Sequence, residues 1–110
     1  ITTNHKGISK ATGDISSAIT TGSSSEATAT GSRSVAVSTQ HTSQSTSGVY
    51  GVSVCIGAGS KGMAGEEGIL VMSWNDGQRK RFSIGYVGEN VKPNTMYELD
   101  DYGNFVELGV

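Results

Sequence analysis

The stretch TGSSSEATATGSRSVAVST, residues 21–39, decides the fold because its composition repeats every nine residues. Written in nines from Thr3, the chain places Thr at the first position of five consecutive units and Ser at the fifth position of four. A disordered linker has no reason to keep such columns, whereas a repeat that builds one structural unit after another does. The period therefore predicts an ordered repeat over the first half of the chain.

A unit of nine residues has the length of one short strand and one turn, so two units make one coil of a parallel β-solenoid. Helix is disfavoured because Gly, Ser and β-branched residues recur throughout and no apolar stripe of helical period appears. The usual handedness of crossover connections favours a right-handed path. We therefore expect residues 1–65 to form a right-handed parallel β-solenoid of nonapeptide half-coils.

Alternation along each strand assigns the repeat positions to two faces. The fifth, seventh and ninth positions carry only small or apolar residues until Lys61, so we expect them to point inward and the sixth and eighth to point outward. In the sixth unit this rule predicts that Val52, Val54 and Ile56 point inward and widen the core. Gly at the second position is expected to supply the tight turn, with a positive φ where the turn requires it.

The composition changes at about residue 65, after which six of the seven aromatic residues occur. Two hairpins are predicted in this second part, the first around the turn signal Asp76-Gly77 and the second around DDYG. Their strands are GILVMSW (68–74) with RKRFSIGYV (79–87), and TMYEL (95–99) with NFVEL (104–108). We expect residues 66–110 to form an antiparallel β cap, since an open rung of a solenoid exposes unpaired backbone groups.

The small-residue nonapeptides, followed by VKPNTMYELDDYGNFVEL (91–108), resemble short phage- and prophage-encoded proteins with tandem Ser-Thr-Ala-Gly repeats and a compact C-terminal module. The K-P-N-T-x-Y-x-L and F-V-E pattern carries most of that resemblance. The repeats alone are also similar to those in the heads of trimeric autotransporter adhesins. The phage resemblance implies a viral or mobile-element origin, and, for an accessory protein, the blocking of a host or defence protein in the host cytoplasm. That family is largely uncharacterised and supplies no functional residue.

Charge and cysteine content argue against several classes of function. The net charge is only −2, which gives no case for nucleic acid or an anionic membrane surface, and no apolar run approaches the ~20 residues of a spanning helix. Cys55 is the only cysteine, so an internal disulfide and a multi-cysteine zinc site are excluded, and we expect a buried thiol. The basic run RKR (79–81) splits between two strand faces. It is expected to pair with Glu66, Glu67 or Glu98, or to blunt an edge strand.

Two patterns in the sequence are typical of ligand sites, but the residues around them lack what each site requires. GAGSKG (57–62) matches the dinucleotide-binding fingerprint, but the following MAGEEG leaves no room for the helix whose N-terminus would hold the pyrophosphate. A calcium-binding β-roll needs a regular column of Asp in its turns, and Asp14 is the only acid at such a turn. We therefore predict neither a cofactor nor a metal in the repeat.

Catalytic groups are equally sparse. His5 and His41 fall in predicted repeat turns, no G-x-S-x-G elbow appears, and no carboxylate is placed beside a histidine. Asp100 and Asp101 are adjacent at the end of a strand, where side chains point apart, so turn formation explains them better than a metal pair does. We predict that the protein is not an enzyme and has no catalytic residue.

The outward columns of the repeat differ between the two predicted sheets. One outer face is polar, with charges such as Lys10 that disfavour a regular ice-binding array of Thr, and the other carries an apolar stripe that ends at Cys55. Contiguous apolar patches on a flat surface are typical of interaction sites. The residues predicted to bind a partner are Ile19, Val35 and Val37 at the apolar centre, with Arg33 and Glu26 as rim charges.

These features predict a non-enzymatic protein that presents a flat solenoid face to a protein partner or to another copy of itself. The alternative is a structural segment of a fibre, tail or adhesin, on a virion or cell surface, assembled through the same stripe into a homodimer or homotrimer. An enzyme is the third possibility, and an ordered acid–base pair would favour it. The solution assembly state distinguishes the first two.

Overall fold

The computed structural model describes residues 6–40, 42–57 and 59–108, and within these ranges the chain forms strands and turns without any helix. The strands are β1 (Ile8–Ala11), β2 (Ser17–Thr20), β3 (Glu26–Ala29), β4 (Val35–Ser38), β5 (Gln44–Ser47), β6 (Val52–Cys55), β7 (Lys61–Met63), β8 (Ile69–Asn75), β9 (Lys80–Tyr86), β10 (Tyr97–Leu99) and β11 (Phe105–Glu107). They form a six-stranded sheet in the order β1-β3-β5-β7-β10-β11 and a five-stranded sheet in the order β2-β4-β6-β8-β9.

From β1 to β8, successive strands alternate between the two sheets, so each coil of the chain adds one strand to each sheet. Each strand from β1 to β6 pairs in parallel with the strand two places along. Each sheet therefore contains four strands stacked in parallel, and the fold is a β-solenoid of about four turns. The predicted parallel β-solenoid is confirmed.

The repeat length shortens by one residue in the middle of the chain. In the five-stranded sheet Ala18 pairs with Ala36, eighteen residues later, whereas Ser38 pairs with Cys55, only seventeen residues later. The six-stranded sheet shows the same change, because Gln44 pairs with Lys61. Since side chains alternate with a period of two, a shift of one residue exchanges the inward and outward positions.

The prediction that Val52, Val54 and Ile56 point inward is therefore wrong. Ser53 and Cys55 are the buried residues of β6, and Val52 and Val54 are half-buried on its outer side. Ile56, directly after the strand, is also half-buried rather than part of the core. The prediction that Cys55 ends an outward stripe fails for the same reason, since Cys55 is only 1% exposed. Its expected burial is confirmed.

Small side chains fill the interior of the first coils, as the inward columns predicted. The buried side chains of β2 to β5 are Ala18, Thr20, Ala27, Ala29, Ala36, Ser38, Ser45 and Ser47. Because the sheets lie so close, the hydroxyls reach backbone carbonyls of neighbouring strands. The Oγ of Ser45 donates to the carbonyl of Ala36 in the opposite sheet at 2.6 Å, and that of Ser43 donates to the carbonyl of Gly22 at 3.2 Å.

The turns contain one left-handed residue at the fourth position of each of the first five units. These residues are Lys6, Ile15, Ser24, Arg33 and Thr42, with φ between 54° and 59°. This conformation aims the N–H along the solenoid axis, so that Ile15 donates to the carbonyl of Ser32 in the next coil at 3.0 Å. The left-handed residue is thus not the Gly at the second position. That Gly is required by close stacking, because a Cβ at Gly31 would lie 2.1 Å from the carbonyl oxygen of Gly13.

Both predicted hairpins are present, and each extends one sheet. The strand β9 is antiparallel to β8, while β10 is antiparallel to both β7 and β11. Each sheet thus runs continuously across residue 65, and β8 is itself the last parallel strand of the solenoid. The division into modules at 1–65 and 66–110 stays a prediction.

Larger side chains widen the core at this C-terminal end. Leu70 and Met72 of β8 pack with Cys55 and with Tyr97 of β10. Tyr97 meets Phe105 edge to face, with ring centroids 6.0 Å apart, and its hydroxyl accepts the backbone N–H of Lys92 at 2.8 Å. The predicted widening occurs here, with residues of β8 and β10 rather than of β6.

Candidate protein-interaction face

The outer side of the five-stranded sheet carries two rows of apolar side chains that run across the strands. The first row is Val35, Val52, Ile69 and Tyr86. The second row is Ile19, Val37, Val54, Val71 and Ile84. Phe82 lies two residues before Ile84 on the same side of β9. We call these ten residues the apolar face, and its neighbouring strands lie about 4.8 Å apart, so adjacent side chains in a row contact each other.

The apolar face is most exposed at its β9 edge. Phe82 is 56% exposed, Ile84 45% and Tyr86 46%, whereas the valines of the central strand β6 are half-buried between their row neighbours. The paired positions of these two rows contain no charged side chain in the described part of the chain. Lys80 borders the end of β9, where it faces Asn75.

The one-residue shortening of the repeat is what makes this face large. Had the nine-residue period continued, Val52 and Val54 would point inward and Ser53 would interrupt the rows. The shorter spacing instead aligns the alternating apolar residues of β6 with those of β4. The sequence carries a signal for this change, because the stacked turn glycines Gly31, Gly48 and Gly65 are seventeen residues apart.

The structure brings together three of the five residues predicted to bind a partner. Ile19 pairs with Val37, and Val35 precedes Val37 by two residues on the same side of β4. Arg33 is exposed in the turn before β4, next to the first row. Glu26 is not part of this arrangement, because it lies on β3 in the other sheet.

Sequence reasoning missed the larger part of the face. Its members on β6 and β8 were assigned to the interior or to a separate cap, and its aromatic edge was assigned to the cap. The missed residues are Val52, Val54, Ile69, Val71, Phe82, Ile84 and Tyr86. The alternation of Val52, Ser53 and Val54 indicates a half-buried strand, but alternation alone does not show which side faces out, whereas the register with β4 does.

The outer side of the six-stranded sheet has a different character. Its register places Glu26 beside Gln44 and Gln44 beside Lys61 in one row, and Thr28 beside Thr46 in the next. Charged and polar side chains make up most of this surface, with Ile8 beside Glu26 at one end and Met63 beside Thr46 at the other. The two outer surfaces differ as the repeat columns predicted, and the polar one provides a matched control for experiments on the apolar face.

Cys55 does not provide a nucleophile. Its side chain is 1% exposed, and its thiol donates to the carbonyl of Lys61 at 3.1 Å. Burial raises the pKa of Cys55 to about 12, against the smaller opposing effect of hydrogen bonds from Ser38 and Ser45. The thiol therefore stays protonated at neutral pH, and the thiolate is the reactive form.

The acidic turn residues serve as hydrogen-bond acceptors. Asp14 accepts the backbone N–H of Ser32 in the next coil at 3.1 Å. Asp76 accepts from the Arg81 side chain, which is the main reason that its pKa falls to about 2. The N–H groups of Asn104 and Tyr102 lower the pKa of Asp100. These contacts show that the three carboxylates accept hydrogen bonds that stabilise turns.

The basic run 79–81 splits between the two faces of β9, as predicted. Lys80 lies on the outer side opposite Asn75, and Arg81 lies opposite Trp74 on the inner side. The partner of Arg81 is Asp76, across the hairpin turn, rather than one of the three predicted glutamates. No contiguous basic surface results from this run.

A shallow cavity of about 360 Å³ lies at the border of the apolar face. Its lining includes Gln40, Trp74 and Lys80, and the ammonium group of Lys80 donates to the carbonyl of Ile56 at 3.5 Å. Among the residues that the structure describes, its lining includes no carboxylate and no histidine. The cavity adjoins the apolar face at Lys80.

Other predicted sites have clear structural outcomes. The chain enters strand β7 at Lys61, within GAGSKG, and no helix follows in the described residues, so the motif lacks the anion-binding helix of a dinucleotide site. Within the described residues no cluster of three or more His, Cys, Asp or Glu side chains could hold a metal ion. Over the same residues, no helix could span a membrane. His5 and His41 lie outside the described residues.

The fold and its surfaces were also compared with known proteins. Comparison with models of protein families, with curated proteins and with solved structures found no match. The resemblance to phage-encoded repeat proteins therefore stays an expectation from the sequence. The apolar face is the feature of the structure from which function can be argued.

Proposed function

We propose that this protein is a non-enzymatic binding module that buries its apolar face against a protein partner. The supporting observation is the unbroken register of two apolar rows across the five-stranded sheet. Each outward-facing residue covers about 30 Å² of a sheet surface, so the ten residues of the apolar face cover roughly 300 Å². This flat area does not include the surface of the protruding side chains or of the residues that border the face. Apolar patches of this size on a monomer are often functional.

The chemistry of the face defines the kind of partner. Fully burying a Val or Ile side chain is favourable by about 1.5–3 kcal/mol relative to full exposure. The half-buried side chains of the apolar face can therefore still gain part of this free energy when a partner covers them. The rows themselves offer no charge to attract a phosphate or a carboxylate. A flat apolar surface of another protein fits the face better than nucleic acid or a small charged ligand does.

The biological setting is part of the same proposal. The repeats and the module at 91–108 support a phage or mobile-element origin through their resemblance to phage-encoded repeat proteins. For such a protein, inhibition of a host or defence protein is the purpose that the resemblance suggests. The second candidate is a fibre, tail or adhesin segment that assembles with itself, which the continuous, uncharged rows favour because a homo-oligomer can use one surface twice.

Site-specific photo-cross-linking in cells that carry the natural gene tests the binding proposal. A benzophenone amino acid replaces Val37 on the apolar face, or Thr28 at the matched position of the polar sheet; each is the third residue of a four-residue strand with the same burial pattern. We expect a discrete adduct heavier than the 11.4 kDa chain from position 37 and none from position 28. An adduct to this protein or to another supports the proposal.

Two outcomes overturn it. One is the absence of any protein adduct from position 37. The other is an equal set of adducts from both positions, because equal labelling of the polar sheet shows random encounters rather than a binding surface.

A further inference from the structure

We infer that the partner on the apolar face is a second copy of this chain, packed face to face. The two copies are related by a two-fold axis that lies over β6 and runs parallel to the strands. The inference rests on the proposed function, because it names the occupant of the same surface. Its supporting evidence is a gradient of side-chain size, the absence of charge in the rows and the area available.

The outward side chains of the first row, extended to Ser17 on β2, grow larger across the five-stranded sheet, whereas the second row has Ile at both ends and Val between them. The outer side of β2 carries Ser17 and Ile19, whereas β9 carries Phe82, Ile84 and Tyr86 on that side. The strands between them carry valine and isoleucine. The central strand of the order β2-β4-β6-β8-β9 is β6, so the gradient runs from a small edge to a large edge about that strand.

A two-fold axis along β6 brings opposite ends of this gradient together. The rotation sets β9 of one copy over β2 of the other and β8 over β4. With no offset along the strands, Tyr86 faces Ser17, Ile84 faces Ile19, and Val54 faces its own counterpart. Large side chains then meet small ones along the first row, and side chains of similar size meet along the second row. The two sheets can therefore keep the even separation of about 10 Å that stacked sheets require.

The other two-fold axis in the interface plane fails this requirement. An axis perpendicular to the strands sets β9 over β9 and β2 over β2. The aromatic edge would then meet itself while Ser17 faced Ser17, so the sheets would splay apart at one edge and leave a gap at the other. Packing to interior density therefore selects the axis parallel to the strands.

Charge and area are consistent with self-association. In a two-fold interface a charged residue near the axis meets its own copy, and the paired rows contain no charged residue. About fifteen residues a side, the ten of the face and their rim, would bury roughly 1,000 Å² in total at the ratio typical of protein interfaces. That area suffices for a specific, weak dimer with a Kd in the micromolar range.

Light scattering on a sizing column, from about 1 to 500 µM protein, tests the inference. We expect the mass to rise with concentration from that of the 11.4 kDa chain to twice that value. Val37→Glu places a carboxylate in both halves of the interface and should raise the Kd by at least about 100-fold, because each buried charge lacks a partner. Thr28→Glu, the matched change on the polar sheet, should leave the Kd unchanged.

Two further variants keep the test decisive. Ile84→Glu repeats the charge at a more exposed position of β9, and circular dichroism confirms that each variant is folded. Ile19→Cys and Ile84→Cys chains, mixed at high concentration with a short bis-maleimide reagent, should become cross-linked between position 19 and position 84, because backbones about 10 Å apart are within reach of such a linker but too far apart for a disulfide. Chains that carry only Ile84→Cys should not cross-link to one another, since the proposed axis holds these two positions apart.

The outcomes separate this inference from the proposed function. A monomer at every concentration, with adducts to another protein from position 37 in cells, overturns self-association and leaves the binding function standing. A monomer without any adduct overturns both. A trimer, a dimer insensitive to both charge variants, or bis-maleimide cross-links between two copies of position 84 overturns the proposed pairing.

Discussion

Replacing Gly31 with alanine is expected to lower the thermal unfolding midpoint by more than about 10 °C, whereas the same change at Gly13 should leave the midpoint within about 3 °C. A Cβ at Gly31 would lie 2.1 Å from the carbonyl oxygen of Gly13 and 2.5 Å from its carbonyl carbon. Both are backbone atoms of the adjacent coil, which cannot move away without disturbing the hydrogen bonds between coils. A Cβ at Gly13 meets nothing within 4 Å.

The two variants form a matched pair, because both glycines occupy the second position of an even unit and neither has a positive φ. The change in intrinsic backbone preference is therefore the same in both, and only the contact with the neighbouring coil differs. Thermal unfolding followed by circular dichroism measures the two midpoints. Equal midpoints would show that these turns do not stack at the distance described, and would contradict the register of the solenoid.

Leu70→Ala is expected to reduce the free energy of unfolding by about 2–5 kcal/mol, and Gly62→Ala is expected to rescue part of that loss. Leu70 is 1% exposed, and a Cβ at Gly62 would lie 2.4 Å from its Cδ1 atom. Gly62→Ala alone should therefore be destabilising, because the two side chains compete for one space. In the background of Leu70→Ala the added methyl group fills part of the cavity instead.

Urea unfolding of the native protein, the two single variants and the double variant measures this coupling. The destabilisation of the double variant should be smaller than the sum of the two single values by about 1–3 kcal/mol. Met72→Ala, at the next inward position of β8, serves as the control partner for Gly62→Ala and should show weaker coupling. Additivity within about 0.5 kcal/mol for the Leu70 pair would contradict the contact across the core.

The sequence predicts the architecture because small side chains leave the repeat period visible. Serine and alanine in the inward columns place two sheets close together, and the Asp76-Gly77 signal locates the first hairpin. The turn conformation was harder to predict. A left-handed conformation at Ile15 is unusual for a β-branched residue, and it is imposed by the hydrogen bond along the solenoid axis to Ser32 rather than by local preference.

The candidate site was predictable only in part. The sequence predicts that Ile19, Val35 and Val37 face outward because they lie where the nine-residue period is regular. In that part of the chain, alternation along each strand shows which side chains point out. Val52 and Val54 were assigned to the wrong side because a shortening by one residue reverses every later position, and nothing local to β6 reveals it. The aromatic edge on β9 joins the face through an antiparallel pairing that lies outside the repeat.

The most direct test of the central claim, that the apolar face is covered by a second copy, is the exposure of its methyl groups in solution. A soluble paramagnetic reagent broadens the NMR signals of accessible methyl groups in a protein labelled at Val, Ile and Leu. At about 500 µM, where the dimer should dominate, we expect the methyl signals of Val54 and Val71 to be protected in the native protein and broadened in the monomeric Val37→Glu variant. Exposed Ile8 and Ile15 should be broadened in both, and buried Leu70 in neither. Equal broadening of Val54 and Val71 in the native protein and in the folded variant would contradict the claim.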